Sequence, residues 1–250
     1  VTVTYDIDYQ YPTSISLFYS EDGGKNYIGP LTNVKGDVGN NVKSGTNKKI
    51  TWDVLSDVNI ILGDNIIFKV SATISFTHLT EELIEGTSYK ILRIGEQIWM
   101  AENLRNVFGN DYWCYDNNNE NCEKFGYLYT WENAKKVCPS GWKLPTERDW
   151  NTLIDNLGGD EIAGGRLKST TEWSNQNVDG TNESKFNSLP GGFRMDNGSY
   201  HFFGRASFYW LSDEFDNENG KYISLSGLHG QIVRKNAKKS YGFSVRCIKK

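Results

Sequence analysis

The sequence predicts two domains, an all-β sandwich followed by an α+β domain, and three observations carry that reading. Residues 1–76 hold four stretches in which β-branched or aromatic residues recur at period two, separated by glycine-rich turns and free of any helical stripe. Residues 146–157 carry apolar residues at helical spacing, and beyond residue 158 the chain turns rich in glycine, serine and asparagine with short aromatic strands. Aromatic residues make up 14% of the 250-residue chain against 38% hydrophobic overall, and their large area closes a core that a modest aliphatic fraction would leave thin.

The strands of the first domain are VTVTYDIDY, SISLFYS, KKITWDV and NIIFKVSATI. Asp22-Gly23-Gly24 and Gly36-Asp37 with Gly39 supply positive-φ positions for tight turns, and residues 45–48 read as a loop ahead of the Trp52 strand. Short strands at this spacing suggest a sandwich of the immunoglobulin or fibronectin type III kind over residues 1–77. The polar, acidic segment THLTEELIEGTS marks the junction, with residues 78–88 as linker and 89–250 as the second domain.

In that domain YKILRIGEQIWM reads as two strands turning at Gly95-Glu96. A helix over residues 130–137 places Trp131 and Ala134 on one face and stops before Pro139, which disfavours helix at Cys138. Thr146 caps the next helix with Asp149 three residues on, and Trp150, Leu153, Ile154 and Leu157 fall at i, i+3, i+4 and i+7 before Gly158. Short strands follow at residues 200–203, 208–211, 222–225 and 242–248.

Charge and cysteine content narrow the function. Lys plus Arg is 27 against 31 Asp plus Glu, a net charge of −4, which argues against a nucleic-acid partner held by a positive field. No apolar run approaches the ~20 residues of a membrane-spanning helix, and the first residues read as a strand, so an exported chain would have lost its leader before Val1. The four cysteines Cys114, Cys122, Cys138 and Cys247 include no CxxC pair. His78, His201 and His229 supply no zinc spacing either, so two disulfides in an exported protein fit better than a metal site. Four unpaired thiols in a cytosolic protein are the alternative.

Five blocks, IGEQIWMAENLR, FGYLYTWENAKKVCPSGWKLPTERDWNTL, FNSLPGGFR, FYWLS and SVRCIK, occur in order between residues 94 and 249. They resemble the Fibrobacter succinogenes major paralogous domain, with the resemblance extending over residues 89–250. The resemblance implies a C-type-lectin-like fold and an exported protein at the bacterial cell surface or outer membrane, lipid-anchored through a removed N-terminal segment. The first domain looks like the small β modules that precede such domains. In C-type-lectin-like domains a disulfide joins the first helix to the last strand, which implies Cys138 with Cys247 and leaves Cys114 with Cys122 as a local loop.

The Glu-Pro-Asn or Gln-Pro-Asp and Trp-Asn-Asp triplets that hold calcium and sugar in C-type lectins do not occur here. Hard cations need only clustered oxygens, so the DEFDNENG run makes Asp213, Glu214, Asp216, Asn217 and Glu218 the candidate ligands, with calcium the candidate ion. A solvated acidic loop is the competing reading, and the DNNNEN run at residues 116–121 invites the same pair of readings. Seven of the eight tryptophans lie beyond residue 89, and Trp99, Trp131, Trp142 and Trp150 read as core. Trp113 and Trp173 have polar neighbours and are the candidates for stacking on a sugar or gripping a partner; Tyr209 and Arg194 from the family blocks complete the ligand-binding set.

Residues 219–250 carry eight basic side chains and no acid, which suits either an anionic polysaccharide or a solubilising edge. Ser140 and Lys143 match SxxK spacing by coincidence, since no SDN or KTG partner accompanies them. Formylglycine-generating enzymes share a distantly related architecture, and Pro190-Gly191-Gly192-Phe193-Arg194 and Val245-Arg246-Cys247 resemble their blocks. The sequence therefore predicts an exported cell-surface binding protein without catalysis, with a glycan or a surface protein as ligand. A carbohydrate-active or thiol-dependent enzyme and an architectural adhesin or surface-layer component are the alternatives.

Overall fold

A computed structural model describes residues 1–8, 13–57, 65–74, 79–174 and 176–250. The chain divides into two compact units, Val1–Ser75 and Phe76–Lys250. His78, Asn175 and the expected boundary at residues 77 and 78 lie outside the described residues.

In the first unit β1 (Thr2–Ile7), β5 (Gly45–Trp52) and β3 (Val34–Gly36) form one antiparallel sheet, and β4 (Gly39–Val42), β2 (Thr13–Ser20) and β6 (Ile67–Ile74) form another. Residues 45–48, expected as loop, belong to β5. Period-two alternation is visible in β2, where Thr13, Ile15, Leu17 and Tyr19 are buried. Ile15, Leu17 and Tyr19 share one apolar cluster with Ile50 and Trp52 of β5, and the Tyr19 and Trp52 rings lie 4.9 Å apart. Gly36 has φ +103, and a Cβ there would stand 2.3 Å from the Lys49 carbonyl oxygen, so strand β3 approaches β5 only with glycine at this position. After β5 a single helical turn, α1 (Val54–Asp57), brings the Asp57 carboxylate to the Trp52 indole N–H at 2.8 Å.

The second unit opens on β7 (Leu79–Ile84), which pairs antiparallel with β8 (Thr87–Ile94). The stretch expected to be a linker is therefore mostly an ordered hairpin. Its first strand is the edge of a five-stranded sheet and exposes most of its residues, and such a strand is polar enough to resemble a linker. Strand β9 (Gln97–Met100) follows β8 through Gly95-Glu96, the two-residue turn that the sequence predicts.

Beyond come β10 (Tyr112–Trp113), α2 (Asn119–Phe125), β11 (Leu128–Tyr129), α3 (Trp131–Val137), β12 (Trp142–Lys143), α4 (Glu147–Asn156) and α5 (Asp160–Leu167). Thr130 caps α3, whose Trp131 and Ala134 are buried, and Thr146 with Asp149 closes a full capping box on α4. Two of these helices depart from expectation. The acidic run at residues 116–121 leads into α2, capped by Asn118. Residues 160–167 are helix despite Gly164 and Gly165, because a Cβ on Gly164 would lie 2.3 Å from the Gly230 carbonyl oxygen and one on Gly165 2.3 Å from that of Asp179. The glycines weaken the local helix signal in order to admit two neighbouring loops.

The hairpin β13 (Gly191–Arg194) and β14 (Tyr200–Phe203) precedes the long strands β15 (Ala206–Glu214), β16 (Asn219–Ser226) and β17 (Ile232–Lys238), and the chain ends with β18 (Phe243–Ser244) and β19 (Ile248–Lys249). The larger sheet runs β10-β11-β18-β15-β16-β17. On one of its faces Tyr209 of β15 packs 5.6 Å from Trp150, within an aromatic group that includes Trp99 and Phe186. Arg246 is fully buried beside it, stacked 4.3 Å over Phe186 and donating to Asn103 Oδ1 at 2.6 Å and the Phe186 carbonyl at 2.6 Å. Both disulfides pair as the resemblance implied: Cys138 to Cys247 with Cα atoms 6.0 Å apart, and Cys114 to Cys122 with 4.9 Å.

Candidate functional site

The opposite face of the larger sheet stays partly open. Register places Phe208 opposite Ser224, Ser224 opposite Val233, and Tyr222 opposite Lys235, so these side chains leave the sheet on one side. They floor a cleft of about 860 Å³. The β13–β14 hairpin walls it with Phe193 and Phe202, Tyr241 and Phe243 form a second wall, and Ser174, Gln176 and residues 226–229 lie at its rim. Phe193 stands 5.9 Å from both Phe202 and Tyr241 with interplanar angles of 19° and 21°, so three near-parallel rings run along the cleft.

Phe202 is the outlier of the group. It is 53% exposed and sits at φ +62, a left-handed backbone that a bulky side chain rarely adopts. Its carbonyl accepts from the Arg205 N–H at 2.9 Å, closing the turn that leads to Gly204 and Arg205.

One buried cation holds the rim together. Lys168, at the end of α5, has no exposed surface, and its ammonium donates to the carbonyl oxygens of Val178 at 2.6 Å, Ser226 at 2.9 Å and His229 at 3.0 Å. All three N–H bonds are used, which ties the loop after residue 176 to the end of β16. Burial pushes the lysine down to about 8, with Asp179 acting in the opposite sense.

The family model of the Fibrobacter succinogenes major domain matches residues 92–249, more than half of the 250-residue chain. The chain belongs to this family. Membership suggests a surface-associated domain, and the two disulfides fit an exported protein. No curated protein and no solved structure gives a significant match to the chain. No helix among the described residues is long and apolar enough to cross a membrane.

Within the major domain two of the expected ligand residues meet. The Arg194 guanidinium lies 4.1 Å from the centroid of the Trp113 ring, so the cation covers that aromatic surface. The ring is half-buried, with Gly242 so close that a Cβ there would lie 3.2 Å from Trp113 Cε3. A smaller cleft of about 310 Å³ adjoins the ring's remaining edge. Trp173 donates its indole N–H to Ser169 Oγ at 3.1 Å and packs against Gly227, where it backs the rim of the large cleft rather than lining it.

Tyr209 cannot contact a ligand at the surface. It lies on the buried face of the sheet, fully covered, with its hydroxyl 2.8 Å from Ser188 Oγ. The aromatic residues that do line the cleft are phenylalanines and tyrosines outside the expected ligand-binding set.

The acidic run does not gather into a cation site. It is the hairpin between β15 and β16, and its carboxylates are spent separately. Asp213 accepts from the Glu147 N–H at 2.6 Å at the start of α4, while Glu214 pairs with Lys239. Asp216 accepts from the backbone N–H groups of Glu218 and Asn219, which hold its carboxyl below the usual range, and the Asn217 carbonyl accepts from Lys239 at 2.9 Å. The Glu218 carbonyl oxygen accepts from the Lys239 N–H at 2.9 Å. Among the described residues no three His, Cys, Asp or Glu side chains come together as metal ligands.

The basic C-terminal stretch is likewise dispersed. Arg246 is buried, Lys221 pairs with Glu147, Arg234 with Asp160, Lys238 with Asp196 and Lys249 with Glu82. Lys235 has no such partner among the described residues, and it stands on the cleft floor together with the exposed, equally unpaired Arg205 at the rim.

Proposed function

We propose that this protein is an exported bacterial cell-surface binding protein whose major-domain unit holds a glycan or protein ligand in the aromatic cleft between the β13–β14 hairpin and strands β15 to β17. In this reading the second unit is a C-type-lectin-like domain, the first is an immunoglobulin- or fibronectin-like sandwich that carries it, and the protein performs no chemistry on its ligand. The observation that carries the proposal is the cleft: aromatic, about 860 Å³ in volume, within the size of ligand sites, and framed by Phe202 on a strained backbone. The disulfide between Cys138 and Cys247 supports this reading over a thiol-dependent enzyme.

A glycan array combined with a pull-down from host and bacterial surface material tests the proposal. Specific capture of one ligand class supports it, and no binding in either format overturns it.

A further inference from the structure

The cleft carries a charge pattern that the chain as a whole does not. The protein has a net charge of −4, yet Arg205, Lys235 and Lys238 are the charged residues among the described lining of the cleft, and no Asp or Glu joins them. Asp196 neutralises Lys238 at 3.0 Å. Arg205 and Lys235 have no acidic partner among the described residues, and both side chains are exposed. Of the eight cations of the C-terminal stretch five are in ion pairs and Arg246 is buried; Lys235 and Lys250 have no ion pair among the described residues, and of these two Lys235 lines the cleft.

Between these two cations the cleft offers apolar rings and neutral hydrogen-bonding groups. Ser224 on the floor, with Gln176 and Asn236 at the margin, has no hydrogen-bond partner for its side chain among the described residues. Unused hydroxyl and amide groups beside aromatic surface match the alternating hydroxyl and C–H faces of a sugar chain. A peptide would gain most by adding a strand to an open sheet edge. Here the start of the edge strand β17 is engaged by helix α5, through Arg234 to Asp160 and, just before the strand, Gln231 to Glu161.

We infer that the cleft binds an acidic glycan, a chain bearing uronic-acid carboxylates, with Arg205 and Lys235 receiving the carboxylates and the rings of Phe193, Phe202 and Tyr222 receiving the sugar faces. This rests on the cleft being the ligand seat. Guanidinium and ammonium groups on either side of an aromatic floor select a ligand that is both carboxylated and ring-shaped.

The test uses the full chain and calorimetric titration with oligogalacturonate, oligomannuronate and oligoglucuronate, the fully methyl-esterified oligogalacturonate, a neutral cello-oligosaccharide and oligoglutamate. The expected result is binding of at least one uronate oligomer, weakened about tenfold or more by methyl esterification or by the double variant Arg205→Gln/Lys235→Gln. Both residues are exposed, so circular dichroism and melting of the double variant should match the parent. Binding of neutral sugar equal to that of uronate, or oligoglutamate bound in preference to every uronate, overturns the inference while leaving the cleft as a ligand seat. Absence of binding by all three uronates up to millimolar concentration also overturns it. Uronate binding that the double variant leaves unchanged, yet a ring substitution in the cleft abolishes, overturns the assigned charge role.

Discussion

Lys168 donates from its buried ammonium to the carbonyl oxygen of Ser226 at 2.9 Å, and so fastens the end of helix α5 to the strand that floors the cleft. Two further carbonyls, of Val178 and His229, complete its coordination. Replacing it as Lys168→Met leaves these acceptors without their donor and should cost about 3 kcal/mol in urea unfolding, with ligand affinity falling as the rim loosens. A variant as stable as the parent would mean that the carbonyls find other partners.

The same lysine sets an alkaline pH dependence. Its folded value is pushed down to about 8 by burial, whereas an unfolded lysine titrates near ~10.4. Between these values the unfolded chain holds more protons at this site, so the site's contribution to stability rises with pH across that window. Unfolding free energies of the parent and Lys168→Met at about pH 7.5 and about pH 9.5 read this directly. The difference should move in the parent's favour at the higher pH; a shift in the other direction contradicts the depressed value.

Asp149 acts at the acid end. Burial works to raise its carboxyl, but the Lys143 ammonium at 2.8 Å and the N–H and hydroxyl of Thr146 outweigh it, and the group titrates below the usual carboxylate range. The stability it supplies is present above about pH 4 and is lost as pH falls through its folded value. Asp149→Asn should flatten the acid limb of the stability profile, and Thr146→Ala should cost about 1 kcal/mol at neutral pH.

Glycine 164 reverses the usual rule for helices. An alanine in a helix interior normally gains stability over glycine, yet here its Cβ would meet the Gly230 carbonyl oxygen at 2.3 Å. Gly164→Ala should therefore lose about 2 kcal/mol through overpacking. Thermal melting checks the sign.

The disulfides differ in their expected effect by the loops they close. Cys138 and Cys247 are 109 residues apart and Cys114 and Cys122 are 8 apart. Replacing the first pair by serine should cost about 5 kcal/mol in the chain-entropy account and the second about 2.5 kcal/mol. Equal losses would show that strain or residual structure dominates.

The legible parts of the molecule were those whose signals are local. Helix α4 announces itself through Thr146, Asp149 and the spacing of Trp150, Leu153 and Ile154, and β2 through its alternation. Helix α5 was hidden because Gly164 and Gly165 serve neighbours distant in sequence, and β7 because an exposed edge strand has the polarity of a linker. The cleft was hidden for a further reason. Phe193, Phe202, Tyr222, Lys235 and Tyr241 come from separate strands and loops, and alternation along a short aromatic strand does not say which of its rings face a cleft. Exposure expected at tryptophan is spent internally at Trp113, beneath Arg194, and the acidic hairpin that suggested calcium is consumed by α4, Lys239 and its own backbone.

The cleft as the ligand seat is tested most directly by comparing the parent with Phe202→Gly on the same glycan array and surface pull-down. Glycine adopts φ +62 freely, so relief of strain offsets the lost ring contacts and the melting temperature should stay within about 3 °C of the parent. The folded variant should lose its ligand, with affinity down about tenfold or more. A Phe202→Gly protein that is equally stable and binds as the parent does would contradict it.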